Sequence, residues 1–354
     1  MKKLFAFILA ALMLLAFVSC GNKPASDSKD TDTDARDTAA LTSNTEPEET
    51  NAPADVDYTT EFNITVIAGT TGMGFAKMMH DASEGTSLFP YNFELVGAAD
   101  LASSAIIGGN ADIAAVPTNL AAVLHAKTGG EIQVVAANTL GVLYLIENGN
   151  SVTDVASLTG KTVYCCQQGA NPEYITTYIL EENGLTVGTD VTLDFSYNTP
   201  DELMTAVASG AVDLAVLPEP KVTAALTQNS GLRVAIDFTA EWEAVNEGTP
   251  LIQGCIIATK SFISAHPAEL SAFLDEYELS VNFTNENPET ASEYMAELGI
   301  IPKAPLALKA IPNCNICFLT GDEMREGMMS FYDVLYKMNP ASLGGTYPDI
   351  TLFQ

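Results

Sequence analysis

The sequence predicts an α/β protein of two lobes, in which each lobe is a mostly parallel sheet flanked by helices and the chain crosses twice between them. Short apolar runs rich in β-branched residues alternate with helical patterns from residue 62 to residue 236, which is typical of parallel sheets. Residues 110–117 are echoed by residues 210–218, where an Asp leads into an apolar strand that ends in Pro. Two similar halves predict two similar lobes.

Length and charge limit the class of protein. At 354 residues the chain exceeds the usual size of one core, and its hydrophobic fraction of 47% is ample for two. The formal net charge of -30 argues against nucleic acid as a partner, because phosphate binding needs clustered Lys and Arg. The same charge argues against a body that lies on an anionic membrane surface.

The N-terminus is predicted to be an export and anchoring signal. A basic start precedes an apolar run at residues 4–18, and the small residues that follow it end at Cys20 in a pattern that resembles a bacterial lipobox. We predict a lipoprotein signal peptide over residues 1–20 with Cys20 lipidated. A plain cleavable signal is the alternative, and the run is short for a membrane span. Residues 21–60 are acidic with little to bury, which predicts a disordered tether outside the cytoplasm.

Residues 131–149 are predicted to connect the lobes. The apolar runs 132–137 and 142–146 each have the composition of a buried strand, and the residues between them carry no strong hairpin signature. Two strands joined without a reversal predict a chain that leaves one sheet and enters another; an ordinary loop within one domain is the alternative. A second crossing is predicted at residues 252–262. The predicted division is lobe I at 61–140 and 253–354, and lobe II at 141–252.

Ligand-binding residues are predicted at the carboxyl ends of the strands, where ligands of such sheets bind. In lobe I, a strand at 62–68 leads through a glycine-rich turn into a helix, whose free N–H groups face outward at its start. A phosphate loop is excluded because the Gly-Lys-Ser/Thr ending is missing; a turn without a ligand is the alternative. The lobe I candidates, including one at the crossing, are Thr70, Thr71, Gly72, Met73, Ala98, Pro117, Thr118, Asn119 and Thr139.

The same rule selects loops in lobe II. Residues 167–171 form a second glycine-containing loop, and Asn171 with Pro172 is expected to open a helix as N-cap and first residue. Thr199 and Glu202 have the spacing of a capping box. The lobe II candidates are Gln167, Gln168, Gly169, Ala170, Asn171, Asn198, Thr199 and Glu219.

Three further local structures are predicted outside these loops. Asp100 is expected to cap a helix, and residues 320–323 are expected to form a second capping box. Residues 302–317 show no clear period and are expected to be irregular.

The cysteines do not predict a metal site. Five of the six cysteines follow Cys20, and an odd number leaves at least one thiol unpaired in an exported protein. Cys314 and Cys317 have the spacing of half a zinc site, but no second pair with that spacing accompanies them. We expect buried free thiols, no metal and no cofactor.

Several of these motifs, taken together and in order, resemble the solute-binding lipoproteins of ABC importers, which have the type II periplasmic-binding fold. The nearest group is the nitrate/sulfonate/taurine and thiamine-pyrimidine-precursor binders, and the resemblance covers residues 64–343. The segments that carry it are 109–117, 158–163, 209–220, His266-Pro267 and Asn287-Pro288. The resemblance implies a lobe I built from both ends of the body, a ligand enclosed at the hinge and an ABC permease as partner. We expect a monomer.

The ligand is expected to be a small molecule, either a nitrogen heterocycle such as a thiamine-pyrimidine precursor or a sulfonate- or nitrate-type anion. Lys221 is the main basic residue near the predicted cleft loops, and the net charge opposes anion capture. Glu219 could accept a hydrogen bond from an amine or a ring N–H, which favours an uncharged or cationic heterocycle. The alternative for Glu219 is a solvated loop residue.

Two other functions stay open as alternatives to an importer component. The first is an enzyme similar to the pyrimidine synthases or menaquinone-pathway enzymes; the cysteine-rich motif of the synthases is only faintly matched by Cys165 and Cys166. No catalytic residue is predicted, because no His lies in a predicted cleft loop. The second is a surface sensor that reports a ligand without transporting it.

Overall fold

The computed structural model of the chain describes residues 56–354. The predicted signal peptide, Cys20 and most of the predicted tether lie outside these residues. Residues 56–60, which the prediction places in the tether, already contact the body: the backbone N–H of Asp57 donates to Glu269 at 2.9 Å, and the rings of Tyr58 and Phe89 lie 5.4 Å apart. No helix within residues 56–354 has both the length and the apolar character needed to cross a bilayer.

The described residues contain one sheet of six strands and one of five. The strands are β1 (Phe62–Ile67), β2 (Tyr91–Val96), β3 (Ile113–Pro117), β4 (Ile132–Leu140), β5 (Leu143–Asn148), β6 (Thr162–Cys165), β7 (Thr192–Asp194), β8 (Leu214–Pro218), β9 (Leu232–Asp237), β10 (Ile252–Thr259) and β11 (Ile316–Leu319).

Helices follow most of the strands and cover the faces of both sheets. They are α1 (Thr70–Met73), α2 (Ala76–Glu84), α3 (Ala99–Ile107), α4 (Thr118–Lys127), α5 (Asn171–Glu182), α6 (Pro200–Ala208), α7 (Lys221–Gln228), α8 (Phe238–Val245), α9 (Lys260–Ala265), α10 (Pro267–Glu286), α11 (Pro288–Glu297), α12 (Ala304–Ala310) and α13 (Gly321–Met338). We call the six-stranded sheet with α1–α4 and α9–α13 lobe I, and the five-stranded sheet with α5–α8 lobe II.

The predicted fold class is confirmed, with one refinement in strand direction. Lobe I has the strand order β11-β4-β10-β3-β1-β2, and lobe II the order β7-β6-β8-β5-β9. In each lobe four strands run in the same direction, but the strand that arrives from the other lobe, β10 or β5, runs antiparallel inside the sheet. In lobe I the edge strand β11 is also antiparallel to its neighbour β4. Periodicity reports which strands are buried but not their direction, so this reversal was not predictable from it.

Three local predictions are wrong. Helix α3 starts one residue before Asp100, so Asp100 lies in the first turn and Ala98 occupies the N-cap. Thr320 occupies the N-cap of α13 without a side-chain hydrogen bond, so the second capping box is absent. The stretch 302–317, expected to be irregular, contains helix α12 and the start of strand β11.

Two capping predictions at lobe II helices have different outcomes. Thr199 and Glu202 form the predicted capping box at α6. At α5 the N-cap is Ala170, and Asn171 is the first helical residue. The predicted start of α5 is therefore displaced by one position.

The two lobes share buried apolar surface. Trp242 on α8 and Phe331 on α13 are both fully buried, and their rings meet edge to face with centroids 5.7 Å apart. Helix α13 therefore packs on both lobes, although it follows the strands of lobe I in the chain.

Close packing at the first crossing requires a glycine. Only Gly141 and Val142 separate β4 from β5. A Cβ atom on Gly141 would lie 2.2 Å from Oγ1 and 3.0 Å from Cβ of Thr239, and 3.1 Å from Leu251. The first crossing can therefore approach α8 this closely only without a side chain at residue 141.

We expect Gly141→Ala to lower the free energy of unfolding by about 1–3 kcal/mol, because overpacking at this site has to displace Thr239. Urea denaturation followed by circular dichroism measures the loss. Gly97→Ala is the matched control, because a Cβ there meets nothing within 4 Å. Equal stability of the two variants would contradict this account of the crossing.

Candidate functional site

A cavity of about 300 Å³ lies between the lobes, where the two crossings meet the ends of the strands. Its lining residues come from both lobes and from both crossings. They are Thr70, Thr71, Pro117, Asn119, Thr139, Val142, Leu143, Gln167, Ala170, Asn171, Pro172, Pro218, Gln253 and Gly254. All of these side chains are uncharged.

The cavity brings together part of the predicted site. The predicted residues that line it are Thr70, Thr71, Pro117, Asn119, Thr139, Gln167, Ala170 and Asn171. They come from the loops after β1, β3 and β6 and from β4, so these loops, selected by the rule that ligands bind at strand ends, meet at this cavity.

Other predicted residues do not line the cavity. Met73 and Thr118 are fully buried, and Gly72 is also buried. Asn198 supports the loop at residue 167, because its carbonyl accepts from the N–H of Gln167 and its side-chain oxygen from the N–H of Gln168, both at 2.8 Å. The remaining residues of this group are Ala98 at the N-cap of α3, Gly169, Thr199 at the N-cap of α6, and Glu219.

The sequence analysis did not select the lining residues Val142, Leu143, Pro172, Pro218, Gln253 and Gly254. A signal existed for some of them. Pro218 is the counterpart of Pro117 in the internal echo, and Val142 and Gln253 lie at the predicted crossings. Including both crossings in the predicted site would have selected Val142 and Gln253.

Two helices of opposite lobes start at the cavity. Helix α4 follows Pro117, and α5 follows Ala170; neither N-cap makes a side-chain hydrogen bond. The first N–H groups of a helix have no partner within it, and the helix dipole places partial positive charge at that end. The start of α4 therefore favours a ligand that presents hydrogen-bond acceptors. At α5 the Glu173 carboxylate, in the first turn, accepts from the N–H of Gly169 and offsets part of this charge.

Hydrogen bonds join the lobes around the cavity. Asn171 Nδ2 on α5 donates to Asn119 Oδ1 on α4 at 3.2 Å, directly across the cleft. Asn339 donates to the hydroxyl of Tyr174 at 2.7 Å, and the Tyr144 hydroxyl donates to the carbonyl of Asn313 at 2.9 Å. The lobes are therefore closed on one another.

The two crossings are also bonded to each other and to the first loop. The backbone N–H of Val142 donates to Oε1 of Gln253 at 2.8 Å. Nδ2 of Asn138, which is buried on β4, donates to the carbonyl of Thr71 at 3.0 Å. These bonds hold the lining residues of the first crossing, the second crossing and α1 in one arrangement.

Comparison with known proteins places this architecture in a family. A family model described as NMT1/THI5 like matches residues 99–291, more than half of the chain. The chain belongs to the NMT1/THI5-like family. No match was found among curated proteins.

Solved structures agree with this family assignment. A crystal structure of an ABC transporter protein from Parabacteroides distasonis is 25% identical, with a TM-score of 0.70, and covers 84% of this chain and 99% of its own. The periplasmic aliphatic sulphonate binding protein SsuA from Escherichia coli is 19% identical, with a TM-score of 0.66 and coverage of 83% and 92%. The periplasmic nitrate-binding protein NrtA from Synechocystis PCC 6803 is 12% identical, with a TM-score of 0.55 and coverage of 82% and 86%. The family resemblance predicted from the sequence is confirmed.

The charged residues that follow β8 are satisfied within lobe II. Glu219 is only 4% exposed, so it is not a solvated loop residue. Its carboxylate accepts from the N–H of Thr223 at 3.1 Å and from the Thr223 hydroxyl at 2.9 Å, inside the first turn of α7. Lys221 forms an ion pair with Asp201. Neither Glu219 nor Lys221 lines the cavity.

Burial also raises the pKa of the Glu219 carboxyl above its ordinary value, and the hydrogen bonds from Thr223 oppose part of that rise. Ionised Glu219 therefore carries a desolvation cost in the folded protein at neutral pH. This cost disappears as the pH falls through the pKa of Glu219 in the folded state.

The five described thiols are free. Cys165, Cys166, Cys255 and Cys314 are buried, and Cys317 is partly buried. Burial raises the pKa of Cys166 to about 11 and that of Cys317 to about 12, so both are protonated at neutral pH. Within residues 56–354, no three His, Cys, Asp or Glu side chains are grouped closely enough to hold a metal ion.

Glu219→Gln keeps an oxygen for Thr223 and removes the titration. Because folding raises the pKa of Glu219, the wild type should gain stability relative to the variant as the pH is lowered from about 7 to about 4. The gain is complete below the unfolded pKa of about 4.3, where it is about 1.4 kcal/mol for each unit by which the folded pKa exceeds the unfolded one. Urea denaturation of both proteins across this range measures the difference. A difference that does not change with pH would contradict the raised pKa.

Proposed function

We propose that this NMT1/THI5-like chain is the extracytoplasmic substrate-binding component of an ABC import system. It captures a small molecule between its lobes and delivers it to a membrane permease. The observation that carries the proposal is the shared cavity, which both lobes and both crossings line. A site built in this way is complete only when the lobes are closed, so a bound ligand stabilises the closed arrangement.

The lining favours a small ligand with hydrogen-bonding groups. A cavity of about 300 Å³ is at the lower end of small-molecule sites. The polar lining consists of hydroxyls and side-chain amides, and the apolar lining includes Val142 and Leu143. An uncharged nitrogen heterocycle and a singly charged sulfonate- or nitrate-type anion both fit this composition. A cationic ligand loses its support, because the Glu219 carboxylate is bonded to Thr223.

The same lining argues for binding rather than catalysis. Acid–base and nucleophilic catalysis need ionisable or activated side chains at the substrate. No His, Cys, Asp, Glu or Lys is among the described residues that line the cavity. Amides and hydroxyls are suited to reversible recognition, which is what a transport component needs.

Native mass spectrometry of the chain, purified without denaturation, tests the proposed function. A retained small mass would identify the ligand, and adding that ligand to the stripped protein should reduce the radius of gyration in small-angle scattering, because closure brings the lobes together. A bare protein whose scattering is unchanged by thiamine-pyrimidine precursors, sulfonates or nitrate would count against the proposal.

We further propose that Cys20 carries the lipid that holds the protein at the membrane. Cys20→Ser removes the acylated thiol and should move the protein from the membrane fraction to the soluble fraction, with loss of metabolic palmitate labelling. Cys255→Ser, at a buried thiol, is the control and should leave both readouts unchanged. Membrane retention of Cys20→Ser would overturn the lipid anchor.

A further inference from the structure

Gln253 lies where the second crossing meets the cavity. It is the second residue of β10, the strand of the second crossing, and its side chain is half-buried at the cavity. Its Oε1 accepts the backbone N–H of Val142 at 2.8 Å, and Val142 belongs to the first crossing. Gln253 therefore joins the two crossings and lines the cavity at the same time.

The hydrogen bond from Val142 fixes which end of the Gln253 amide is which. A backbone N–H can only donate, so the end that faces Val142 has to be the oxygen. The nitrogen, Nε2, is then the free end, and within residues 56–354 it has no hydrogen-bond partner. The orientation of a side-chain amide is often inferred from neighbours that can either donate or accept. Here the neighbour is a backbone N–H, which can only donate.

We propose that Gln253 is a specificity-determining residue whose Nε2 donates a hydrogen bond to the bound molecule. This inference rests on the proposed function and narrows it: the ligand has to present a hydrogen-bond acceptor at this wall of the cavity. An oxyanion oxygen, a carbonyl oxygen and an unprotonated ring nitrogen share this chemistry. A ligand that offers only a cationic or N–H face at this position does not.

The surroundings of Gln253 favour the same class of ligand. Helix α4 starts at the cavity without a side-chain cap, which also favours acceptors. No carboxylate is among the described residues that line the cavity, so none bonds a cation directly there. The start of α4 in lobe I and the amide of Gln253 on the second crossing therefore favour the same class of ligand.

The hydrogen bond from Val142 makes the orientation of Gln253 Nε2 depend on the contact between the two crossings. Val142 and Gln253 lie 111 positions apart in the chain and meet only where the crossings run side by side. The amide is oriented for the ligand when the crossings are in contact. Gln253 therefore connects recognition of an acceptor to the geometry of the hinge.

Gln253→Glu keeps the acceptor for the Val142 N–H and removes the proposed donor to the ligand. A glutamate can still accept from Val142, but at neutral pH it offers the ligand an acceptor instead of a donor. Isothermal titration calorimetry of the full chain is done with nitrate, ethanesulfonate, taurine, 4-amino-5-hydroxymethyl-2-methylpyrimidine and any compound retained in native mass spectrometry. For each probe that binds the wild type, the variant should bind at least about tenfold more weakly at pH about 7.5.

The pH dependence distinguishes a lost donor from a damaged hinge. Protonation gives the introduced carboxyl an O–H donor, so the ratio of variant to wild-type Kd should return towards one as the pH is lowered to about 3.5, below the ordinary Glu pKa of about 4.3. Gln253→Met removes both contacts and should bind weakly at both pH values. Gln228→Glu adds the same charge on α7, outside the cavity, and should bind like the wild type.

Each outcome has a defined meaning. An unchanged Kd in Gln253→Glu, a loss that does not recover at low pH, or a retained ligand without an acceptor would overturn the role of Gln253 and leave the binding function in place. If no probe binds the wild type and native mass spectrometry finds no ligand, the proposed function fails and this inference fails with it.

Discussion

Each lobe is completed by a strand that arrives directly from the other lobe, and this constraint sets the position of the site. Strand β5 enters lobe II between β8 and β9, and β10 enters lobe I between β3 and β4. At the entry points Leu143 pairs with Pro218 and Gly254 pairs with Pro117. All four residues line the cavity. The cavity lies at the hinge because the sheets are completed there.

The same constraint explains how the positions of the lining residues are fixed. The crossings contain few residues, so their geometry is held by bonds to other segments. Asn315 donates its side-chain N–H to the carbonyl of Gly141, Asn138 holds Thr71, and Gln253 holds Val142. Each bond joins segments that are distant in the chain or on different elements. These parts of the lining are therefore organised by contacts between distant segments.

The electrostatics of the site differ from those of the whole chain. The protein carries a formal net charge of -30, yet the cavity is lined by amides, hydroxyls and apolar groups. The charged residues that follow β8 are used locally, Glu219 by Thr223 and Lys221 by Asp201. Partial positive charge from the start of α4 and the amide of Gln253 remain at the cavity.

The sequence by itself determined the α/β class, the two lobes, the crossings and the loops that meet at the cavity. These follow from the period of apolar residues and from Gly and Pro at strand ends, which act within a few residues. Capping at Asp100 and Thr320, and the helix within residues 302–317, were misjudged because packing against distant elements outweighs such weak local preferences.

Only the tertiary structure decided the antiparallel entry of β5 and β10, the burial of Glu219 and the placement of Gln253 on the wall of the cavity. Each of these depends on which distant segment lies alongside, as Val142 does for Gln253. A local pattern in one chain carries no record of that partner, because the contact is made by folding and not by neighbouring residues.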